Sequence, residues 1–300
     1  MALNFNCLSC NINQVIKISN VLNLPRNDEE KILKAVLKYL STADYSKCNP
    51  EIMGEIWKII CNLINNSNPY RLLKNYYNIE IEKMHNEIVS IIEETNDKFL
   101  TCLKIAIVGN LIDFAAKHTF KMEDLKQRLT DSKNIQLTVD HSKQLYHKLG
   151  NTESLLYLGD NCGEIVLDKI FIKYIKQEFP NIKVFYGVRG KPIVNDVTQE
   201  DAQMVDMASV AEVIDNSDGS LGTVIEKTSE KFRKIFYNAD IIISKGQGNY
   251  ESLLSIDRDN IFFLFMAKCE PIAEILNIET MSIVCIENNI QKNKRIIYAK

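Results

Sequence analysis

The sequence predicts an α/β protein in which a helical amino-terminal domain, residues 1–150, precedes a domain with a mainly parallel sheet, residues 151–300. Two observations predict this fold class. From Leu8 to about Asp140, apolar residues recur at helical spacing, with almost no alternating strand pattern. After Gly150, short apolar strands alternate with helices, as in a doubly wound sheet that carries helices on both faces.

The amino-terminal domain is predicted to contain five helices, with breaks at Pro25, Pro50 and Pro69. Pro50 suits the first position of a helix, because the N–H that proline lacks has no helical partner there. The predicted helices are Asn13 to Leu22, Glu29 to Leu40, Pro50 to Asn62, Tyr70 to Thr95 and Phe99 to Lys117.

The second domain is predicted to alternate strands with helices, because its apolar runs are short and continuous. The predicted strands are Leu155 to Leu158, Lys183 to Val188, Ala211 to Ile214, Ile241 to Ser244, Ile261 to Met266 and Ser282 to Glu287, with an edge hairpin at Arg295 to Tyr298. The predicted helices are Glu164 to Glu178, Gln199 to Ala208, Leu221 to Phe236, Glu251 to Leu254 and Ile272 to Leu276.

The composition is that of a globular protein: 300 residues, 46% hydrophobic, with a formal net charge of −3. The negative charge gives no general attraction for nucleic acid or anionic membranes, so any phosphate recognition must be local. The apolar runs are too short to span a bilayer, and the first residues lack the basic start of a secretory leader. We therefore expect a cytoplasmic protein with neither nucleic acid nor membrane as partner.

Eight cysteines are scattered along the chain, which is typical of reduced thiols in a cytosol. Cys7 and Cys10 form a single Cys-x-x-Cys, without the second pair that a zinc ribbon needs. Two interpretations stay open. The pair lies on an amphipathic helix, or it binds a structural metal together with Cys48, Cys61 or Cys102.

The most informative stretch runs from Leu155 to Glu164, where an apolar run stops at a glycine and mostly polar residues follow. Asp160 and Asn161 fall in the turn between a predicted strand and a predicted helix, where open α/β sheets bind ligands. With Glu164 in the first helical turn, their oxygens would form a compact set of hard ligands. Alternatively, Asp160 or Asn161 caps the helix and Glu164 completes the capping arrangement.

Polar residues follow the other predicted strands at the same edge of the sheet. The second strand leads to Arg189, Asn195 and Asp196, the fourth to Lys245 and Gly246, and the fifth to Lys268. Cations at some strand ends beside carboxylates at others describe a site for an anion held by a metal together with lysine and arginine. For the segment Asp215 to Gly219, an ordinary turn is the favoured interpretation.

Asn110 and Asp113 are three residues apart, hence on one face of a predicted helix in apolar surroundings. Buried amides and acids need partners, so this pair either satisfies backbone groups or faces a polar site.

Gly246 and Gly248 would let the backbone approach a phosphate closely, or they form a tight turn after the strand. The Rossmann spacing fails, because Glu251 occupies the position of the last glycine. Asp160 would also repel the pyrophosphate of a dinucleotide. A nicotinamide or adenosylmethionine loop is therefore disfavoured.

Three ordered motifs resemble the metal-dependent damage-control phosphatase family: Gly159 to Glu164, Arg189 to Thr198 and Lys245 to Glu251. The segment Asn110 to Asp113 is similar to an element of the family's helical domain, and the Cys-x-x-Cys resembles its shorter prokaryotic branch. The resemblance implies a helical domain packed on a three-layer α/β/α domain. It also implies one divalent metal ion (Mn, Mg, Ni or Co) and hydrolysis of small phosphorylated metabolites, often damaged or misplaced ones.

The resemblance implies roles for individual residues. Asp160, Asn161 and Asp196 match the metal ligands, and together with Lys245 and Glu164 they form the expected catalytic set. The residues expected around the substrate phosphate are Arg189, Lys245, Glu164, Asn195, Gly246, Asn110 and Asp113. Cys162 is a departure, since many relatives carry alanine or another small residue there.

The position two residues after Asp160 is Cys162, whereas phosphatases of the dehalogenase type present Asp-x-Asp. Water activated by the metal is therefore the preferred nucleophile. Because the expected ligands are oxygens, Cys7 and Cys10 are not expected to bind the catalytic metal. Two other functions stay open: a carboxyl methyltransferase that uses adenosylmethionine, and a protein that binds metal and phosphometabolite without turnover.

Overall fold

The structure is a computed structural model that describes residues 1–111 and 122–288. Two expectations from the sequence fall outside these residues: the role of Asp113 and the edge hairpin at Arg295 to Tyr298.

The first part of the described chain is mainly helical, as predicted. Its helices are α1 (Cys7–Leu22), α2 (Arg26–Leu40), α3 (Asn49–Leu63), α4 (Arg71–Lys83), α5 (His85–Glu93), α6 (Lys98–Val108), α7 (Met122–Thr130) and α8 (Ser142–Leu149). The single helix predicted from Tyr70 to Thr95 is wrong, because the chain turns at Met84, whose buried side chain joins the core.

The helix predicted from Phe99 ends earlier than expected. Helix α6 stops at Val108, and a 3-10 turn follows at Gly109–Leu111. Gly109 lies against the side chain of Glu164, where an added Cβ would come within 2.9 Å of the Glu164 Cγ. The turn therefore brings Gly109, which precedes Asn110, close to Glu164 at the start of the helix predicted from Glu164 to Glu178.

Seven strands among the described residues form one sheet, in the order β1-β7-β6-β5-β2-β3-β4. They are β1 (Val139–Asp140), β2 (Ser154–Leu158), β3 (Lys183–Val188), β4 (Glu212–Asp215), β5 (Ile241–Lys245), β6 (Ile261–Met266) and β7 (Ile283–Glu287). Neighbouring strands are parallel apart from the antiparallel pair β6 and β7. Strand β1 was not predicted, and it pairs with β7 in this sheet although it precedes residue 150. The predicted domain boundary at residue 150 therefore stays a prediction.

The helices that alternate with these strands are α9 (Glu164–Glu178), α10 (Gln199–Met204), α11 (Glu230–Asn238), α12 (Gln247–Leu253) and α13 (Glu270–Leu276). Two of them are shorter than predicted. Helix α10 ends at Met204, and Asp206 adopts a left-handed conformation just after it. Helix α11 begins only at Glu230, because the Ser229 side chain accepts a hydrogen bond from the Phe232 N–H and caps it there.

Helices pack their apolar side chains against both faces of the sheet, so this part of the protein has three layers. Leu155 and Tyr157 of β2 face a core shared with α6 and α9, whereas Leu156 and Leu158 face a second core shared with α11. A third cluster joins α1, α2 and α3 to Ile193 in the connection after β3. The predicted α/β class with a mainly parallel sheet is confirmed. No helix in residues 1–111 and 122–288 is long and apolar enough to cross a membrane.

Candidate active site

The connections that follow β2 and β3 lie side by side at the carboxyl edge of the sheet. Asn161 and Asp196 form an isolated antiparallel bridge, and the Val197 N–H donates to the carbonyl of Asp160 at 2.9 Å. These backbone bonds fix the two connections to each other. Asp160, Asn161 and Asp196, which the sequence predicted as neighbours, are therefore brought together.

Asp160 is held by two amides and one glycine. Its Oδ2 accepts hydrogen bonds from Asn110 Nδ2 at 2.8 Å and from Asn161 Nδ2 at 2.7 Å. Gly246, with φ of +80°, lies so close that an added Cβ would be 2.0 Å from Asp160 Oδ2. Because no other residue fits this contact without displacing the carboxylate, the glycine after β5 shapes the wall of the site.

Arg189 extends along the same wall and is 2% exposed. Its Nε donates to Asp196 Oδ2 at 2.6 Å, and its Nη1 donates to Thr223 Oγ1 at 3.2 Å. Its Nη2 is buried, has no hydrogen-bond acceptor within residues 1–111 and 122–288, and lies 3.9 Å from Asp160 Oδ1. The guanidinium therefore keeps donor capacity beside the two aspartates. We call Asp160, Asn161, Asp196 and Arg189 the crevice cluster.

Glu164 begins α9 and lies fully buried between the crevice cluster and Lys245. Its Oε2 accepts a hydrogen bond from Asn161 Nδ2 at 2.9 Å, and its Oε1 accepts one from Lys245 Nζ at 2.7 Å. Lys245 Nζ also donates to the Ala106 carbonyl at 2.9 Å and to Asp168 Oδ1 at 2.5 Å. All three hydrogens of the ammonium group thus have acceptors inside the protein.

Asp168 lies one helical turn after Glu164 and completes this buried arrangement. Its Oδ1 accepts a hydrogen bond from the Tyr157 hydroxyl at 2.7 Å, and its Oδ2 accepts one from the Tyr186 hydroxyl at 3.0 Å. We call Tyr157, Tyr186, Asp168, Lys245 and Glu164 the buried relay. Among these residues, the sequence identified only Lys245 and Glu164 as site residues.

Negative charge exceeds positive charge in the two clusters. When ionised, the four carboxylates of Asp160, Glu164, Asp168 and Asp196 face the two cations of Arg189 and Lys245, which leaves an excess of two negative charges. Lys268, only partly buried, adds a positive charge near Asp160 at the rim.

Burial, together with the neighbouring carboxylates, raises the pKa values of three of these carboxyl groups. Burial, followed by the charges of Asp196 and Glu164, raises the pKa of Asp160 well above its usual range. Burial also raises the pKa of Asp196, although Arg189 opposes the shift, and it raises the pKa of Asp168 to about 6. A cation beside Asp160 and Asp196 would favour the ionised form of both.

The donor set of the crevice cluster fits a hard divalent cation. Asp160 and Asp196 supply carboxylate oxygens, and Asn161 supplies an amide oxygen that already accepts a hydrogen bond from Asn195 Nδ2 at 2.7 Å. No group of three or more His, Cys, Asp or Glu side chains within residues 1–111 and 122–288 is arranged to hold a metal ion. Any cation here would therefore depend on the amide as well as on the two carboxylates.

Helix α4 contacts the two connections from the helical part of the chain. Asn78 Oδ1 accepts a hydrogen bond from the Gly163 N–H at 2.6 Å, just before α9 begins. Lys74 forms an ion pair of 2.7 Å with Asp201, whose carboxylate caps α10 through Thr198. The sequence did not identify these residues, because their partners lie far away along the chain.

The structure brings nearly all of the predicted site residues together. Those that contact one another directly or through one shared neighbour are Asp160, Asn161, Asp196, Glu164, Arg189, Lys245, Asn195, Gly246 and Asn110. Asp168 was missed, although an acid on the apolar face of a helix, four residues after Glu164, is a detectable signal. Thr223 and Asn249, whose side chains bond to each other at 2.8 Å beside Arg189, carry no comparable signal.

The eight cysteines are all free thiols. Cys7 and Cys10 lie in the first turn of α1, and burial together with nearby Glu251 and Cys269 raises the pKa of Cys7 to about 12. Cys162 is fully buried, and burial raises the pKa of its thiol well above the usual range. A raised pKa keeps a thiol protonated and unreactive, so Cys162 is suited to a packing role in the core.

Comparison with known proteins identifies the family. Residues 4–284 match the Damage-control phosphatase ARMT1-like domain. Damage-control phosphatase PH1575 of Pyrococcus horikoshii is 31% identical over 290 residues, which cover 96% of this chain and 99% of that protein. A damage-control phosphatase of Archaeoglobus fulgidus is 28% identical over 284 residues, which cover 93% of this chain and 96% of that protein.

The fold is also shared with a solved structure. The crystal structure of a DUF89 family protein, PH1575 from P. horikoshii, has a TM-score of 0.86 at 30% identity, covering 96% of this chain and 100% of that one. The resemblance predicted from the three motifs is confirmed, whereas the Cys-x-x-Cys as a mark of the shorter prokaryotic branch stays a prediction. The chain belongs to the Damage-control phosphatase ARMT1-like domain family.

Proposed function

We propose that this protein is a divalent-metal-dependent phosphatase that hydrolyses phosphate monoesters of small metabolites, including damaged or misplaced ones. The predicted class of enzyme, a hydrolase of phosphate esters, is supported by the family and by relatives named damage-control phosphatase. The proposal includes the cytoplasmic location and the small phosphorylated partner expected from the sequence. The observation that carries it is the buried excess of negative charge beside Arg189, whose Nη2 has no acceptor in the described part of the chain.

Asp160, Asn161 and Asp196 would hold one divalent cation in this proposal. Their oxygens suit Mg²⁺ or Mn²⁺, and Co²⁺ or Ni²⁺ are also compatible with a mixed carboxylate and amide set. The cation would supply positive charge to the phosphoryl group and would activate water as the nucleophile. Besides burial, the charges of Asp196 and Glu164 raise the pKa of Asp160, and a bound cation would offset this repulsion between carboxylates.

Arg189 would bind the substrate phosphate. Its Nε already donates a hydrogen bond to Asp196. Its Nη2 has no acceptor in the described structure and lies beside Asp160. A phosphate oxygen would satisfy this donor, and a planar guanidinium suits such an anion. Asn195, Asn110 and Gly246 would form the adjoining polar wall, and the predicted role of Asp113 remains part of the proposal.

Lys245 and Glu164 would act together in this site. The sequence suggested that Lys245 holds phosphate oxygens directly, but its ammonium group already donates to Ala106, Glu164 and Asp168. Direct contact with phosphate would require one of these bonds to be exchanged. We therefore assign Lys245 the task of holding Glu164 in place, while Glu164 holds the amide of Asn161.

Release of inorganic phosphate tests this function. The chelator-stripped protein would be assayed with a panel of phosphorylated metabolites in the presence of Mg²⁺, Mn²⁺, Co²⁺ or Ni²⁺, and without metal. We expect at least one metabolite to be hydrolysed, and only when a divalent cation is present. Binding of metabolite without phosphate release would support the non-catalytic alternative, and calorimetric binding of adenosylmethionine would support the methyltransferase.

A further inference from the structure

The buried relay is an ionic network with no exposed member. Tyr157, Tyr186, Asp168, Lys245 and Glu164 are each at 0% relative exposure. Their bonds form one sequence of contacts: both tyrosine hydroxyls donate to Asp168, and Lys245 donates to Asp168 and to Glu164. Glu164 in turn accepts from Asn161. The network therefore ends at a side chain of the crevice cluster.

Fold stability alone is a weak explanation for such a network. Removing three ionic groups from water carries a large desolvation penalty, and apolar residues of similar volume often stabilise a protein equally well or better. The two tyrosines add polar hydroxyl groups on the sheet face that otherwise packs against the apolar residues of α9. An arrangement that is costly to bury and that ends at a proposed ligand points to a task at that ligand.

Glu164 controls which way the amide of Asn161 faces. The Asn161 Nδ2 group donates to Glu164 Oε2 at 2.9 Å and to Asp160 Oδ2 at 2.7 Å, which uses both of its hydrogens. The amide oxygen is thereby turned to the opposite side, where it accepts from Asn195. A hard cation needs this oxygen and would be repelled by the NH₂ group, so the orientation of the amide affects metal binding.

The backbone next to Asp160 makes room for the relay. Gly159 precedes Asp160, and an added Cβ at this position would lie 2.4 Å from the hydroxyl oxygen of Tyr186. The absence of a side chain at Gly159 therefore allows the Tyr186 hydroxyl to reach Asp168. Gly159 is thus required by the contact between Tyr186 and Asp168 as well as by the turn after β2.

From these contacts we infer that Asp168, with Tyr157 and Tyr186, is a set of positioning residues for the metal site: it fixes Lys245, which fixes Glu164 and hence the amide of Asn161. The inference rests on the proposed function, and it assigns roles to three residues that touch neither metal nor substrate. Tyr157 shares Asp168 Oδ1 with Lys245, whereas Tyr186 bonds to Oδ2. Loss of the carboxylate charge at Asp168 should therefore matter more than loss of either hydroxyl.

The test measures the affinity for Mn²⁺ alone, by calorimetry on chelator-stripped protein without substrate. For Asp168→Asn we expect the dissociation constant to rise about 10- to 100-fold, the usual effect of losing a group that orients a metal ligand. We expect kcat to fall by a similar factor at saturating Mn²⁺, with little change in KM. Tyr157→Phe and Tyr186→Phe should each have a smaller effect, and the double variant should approach that of Asp168→Asn.

Two control variants remove similar interactions elsewhere. Tyr146→Phe removes a hydroxyl that donates to Glu178 at 2.9 Å, and Asp240→Asn removes a carboxylate that accepts from Ser154. Both should leave the Mn²⁺ affinity and kcat unchanged.

Three outcomes would overturn the inference. Unchanged Mn²⁺ affinity in a folded Asp168→Asn variant would do so while leaving the proposed function intact. If that variant does not fold, unchanged Mn²⁺ affinity in the double variant of Tyr157 and Tyr186 would overturn the inference instead. Wild-type protein that neither binds Mn²⁺ nor releases phosphate would overturn the inference and the proposed function together.

Discussion

The crevice cluster and the buried relay are neighbours that share similar residue types but differ in how completely those residues are partnered. In the relay, the ammonium group of Lys245 has three acceptors, and both oxygens of Asp168 accept hydrogen bonds. In the crevice cluster, Arg189 Nη2 has no acceptor among the residues that the structure describes, and burial raises the pKa of Asp160 well above its usual range. A completed network holds side chains in place, whereas an incomplete one beside it has capacity for a ligand.

The largest expected effect follows from removing a carboxylate of the crevice cluster. Asp160→Ala and Asp196→Asn should each reduce Mn²⁺ retention and phosphate release to background, because each removes one of the two carboxylates in the proposed set of ligands. Metal content after desalting and phosphate release would be measured on the same preparations. Asp240→Asn serves as the control and should retain both. Activity in both crevice variants would mean that the cation is bound elsewhere or is not needed.

The second effect concerns the unused donor of Arg189. Arg189→Lys should lower the rate of phosphate release by roughly 10²-fold while metal retention stays the same, because a compact ammonium group lacks the planar fork with which the guanidinium reaches Asp196 and the phosphate position together. Arg258→Lys is a matched control, since that guanidinium donates to the carbonyls of Phe236 and Ala239 and lies in no proposed site. A rate within twofold of wild type for Arg189→Lys would rule out phosphate binding by Arg189.

The stability of the folded protein should depend on pH through Glu251, a buried carboxyl group outside both clusters. Burial raises the pKa of Glu251 to about 7, and the hydrogen bond from Gln247 offsets this only in part. Between its ordinary pKa of 4.5 and 7, the folded protein keeps a proton that the unfolded chain has released. The contribution of Glu251 to stability therefore falls as pH rises through this window, and the loss stays constant above it.

Glu251→Gln should remove this pH dependence. At pH 8 the variant should be more stable than wild type by about 1–3 kcal/mol, whereas at pH 4 the two should be nearly equal. Urea unfolding at both pH values measures the difference. A variant that is less stable than wild type at pH 8 would show that ionised Glu251 is stabilised by contacts in the folded protein.

The smallest expected effect belongs to the Cys-x-x-Cys. Replacing Cys7 and Cys10 together by serine should leave phosphate release and Mn²⁺ retention largely intact, because the proposed ligands are oxygens and the pKa of Cys7 is raised to about 12. The assay is the same as for the crevice variants, with circular dichroism to confirm folding. A folded double variant without activity would contradict the assignment of the catalytic metal to the crevice cluster.

The sequence was sufficient to predict six of the seven described strands and the proximity of the residues in the crevice cluster. The strands were detectable because buried parallel strands are continuous apolar runs, and the polar residues at their ends follow directly in the chain. Asp160, Asn161 and Glu164 lie within five consecutive positions, so their proximity needed no tertiary information. Asp196 required only that the connections after two neighbouring strands lie side by side.

Other features could not be predicted, because they depend on contacts between distant segments. Strand β1 has two residues, and only its pairing with β7 defines it. The contacts of Asn78 with Gly163 and of Lys74 with Asp201 join segments more than 80 residues apart in the chain. The direction in which the Lys245 side chain extends could not be predicted from the sequence either. A lysine at the end of a strand can extend into the crevice or back beneath it.

The most direct test of a metal-dependent crevice cluster is phosphate release by the chelator-stripped protein as Mn²⁺ is added back, measured for wild type and for Asp196→Asn in parallel. We expect no hydrolysis without metal, full activity once one equivalent of Mn²⁺ is bound, and no recovery in the variant. Equal hydrolysis by stripped and loaded wild-type protein, or full recovery in Asp196→Asn, would contradict this expectation.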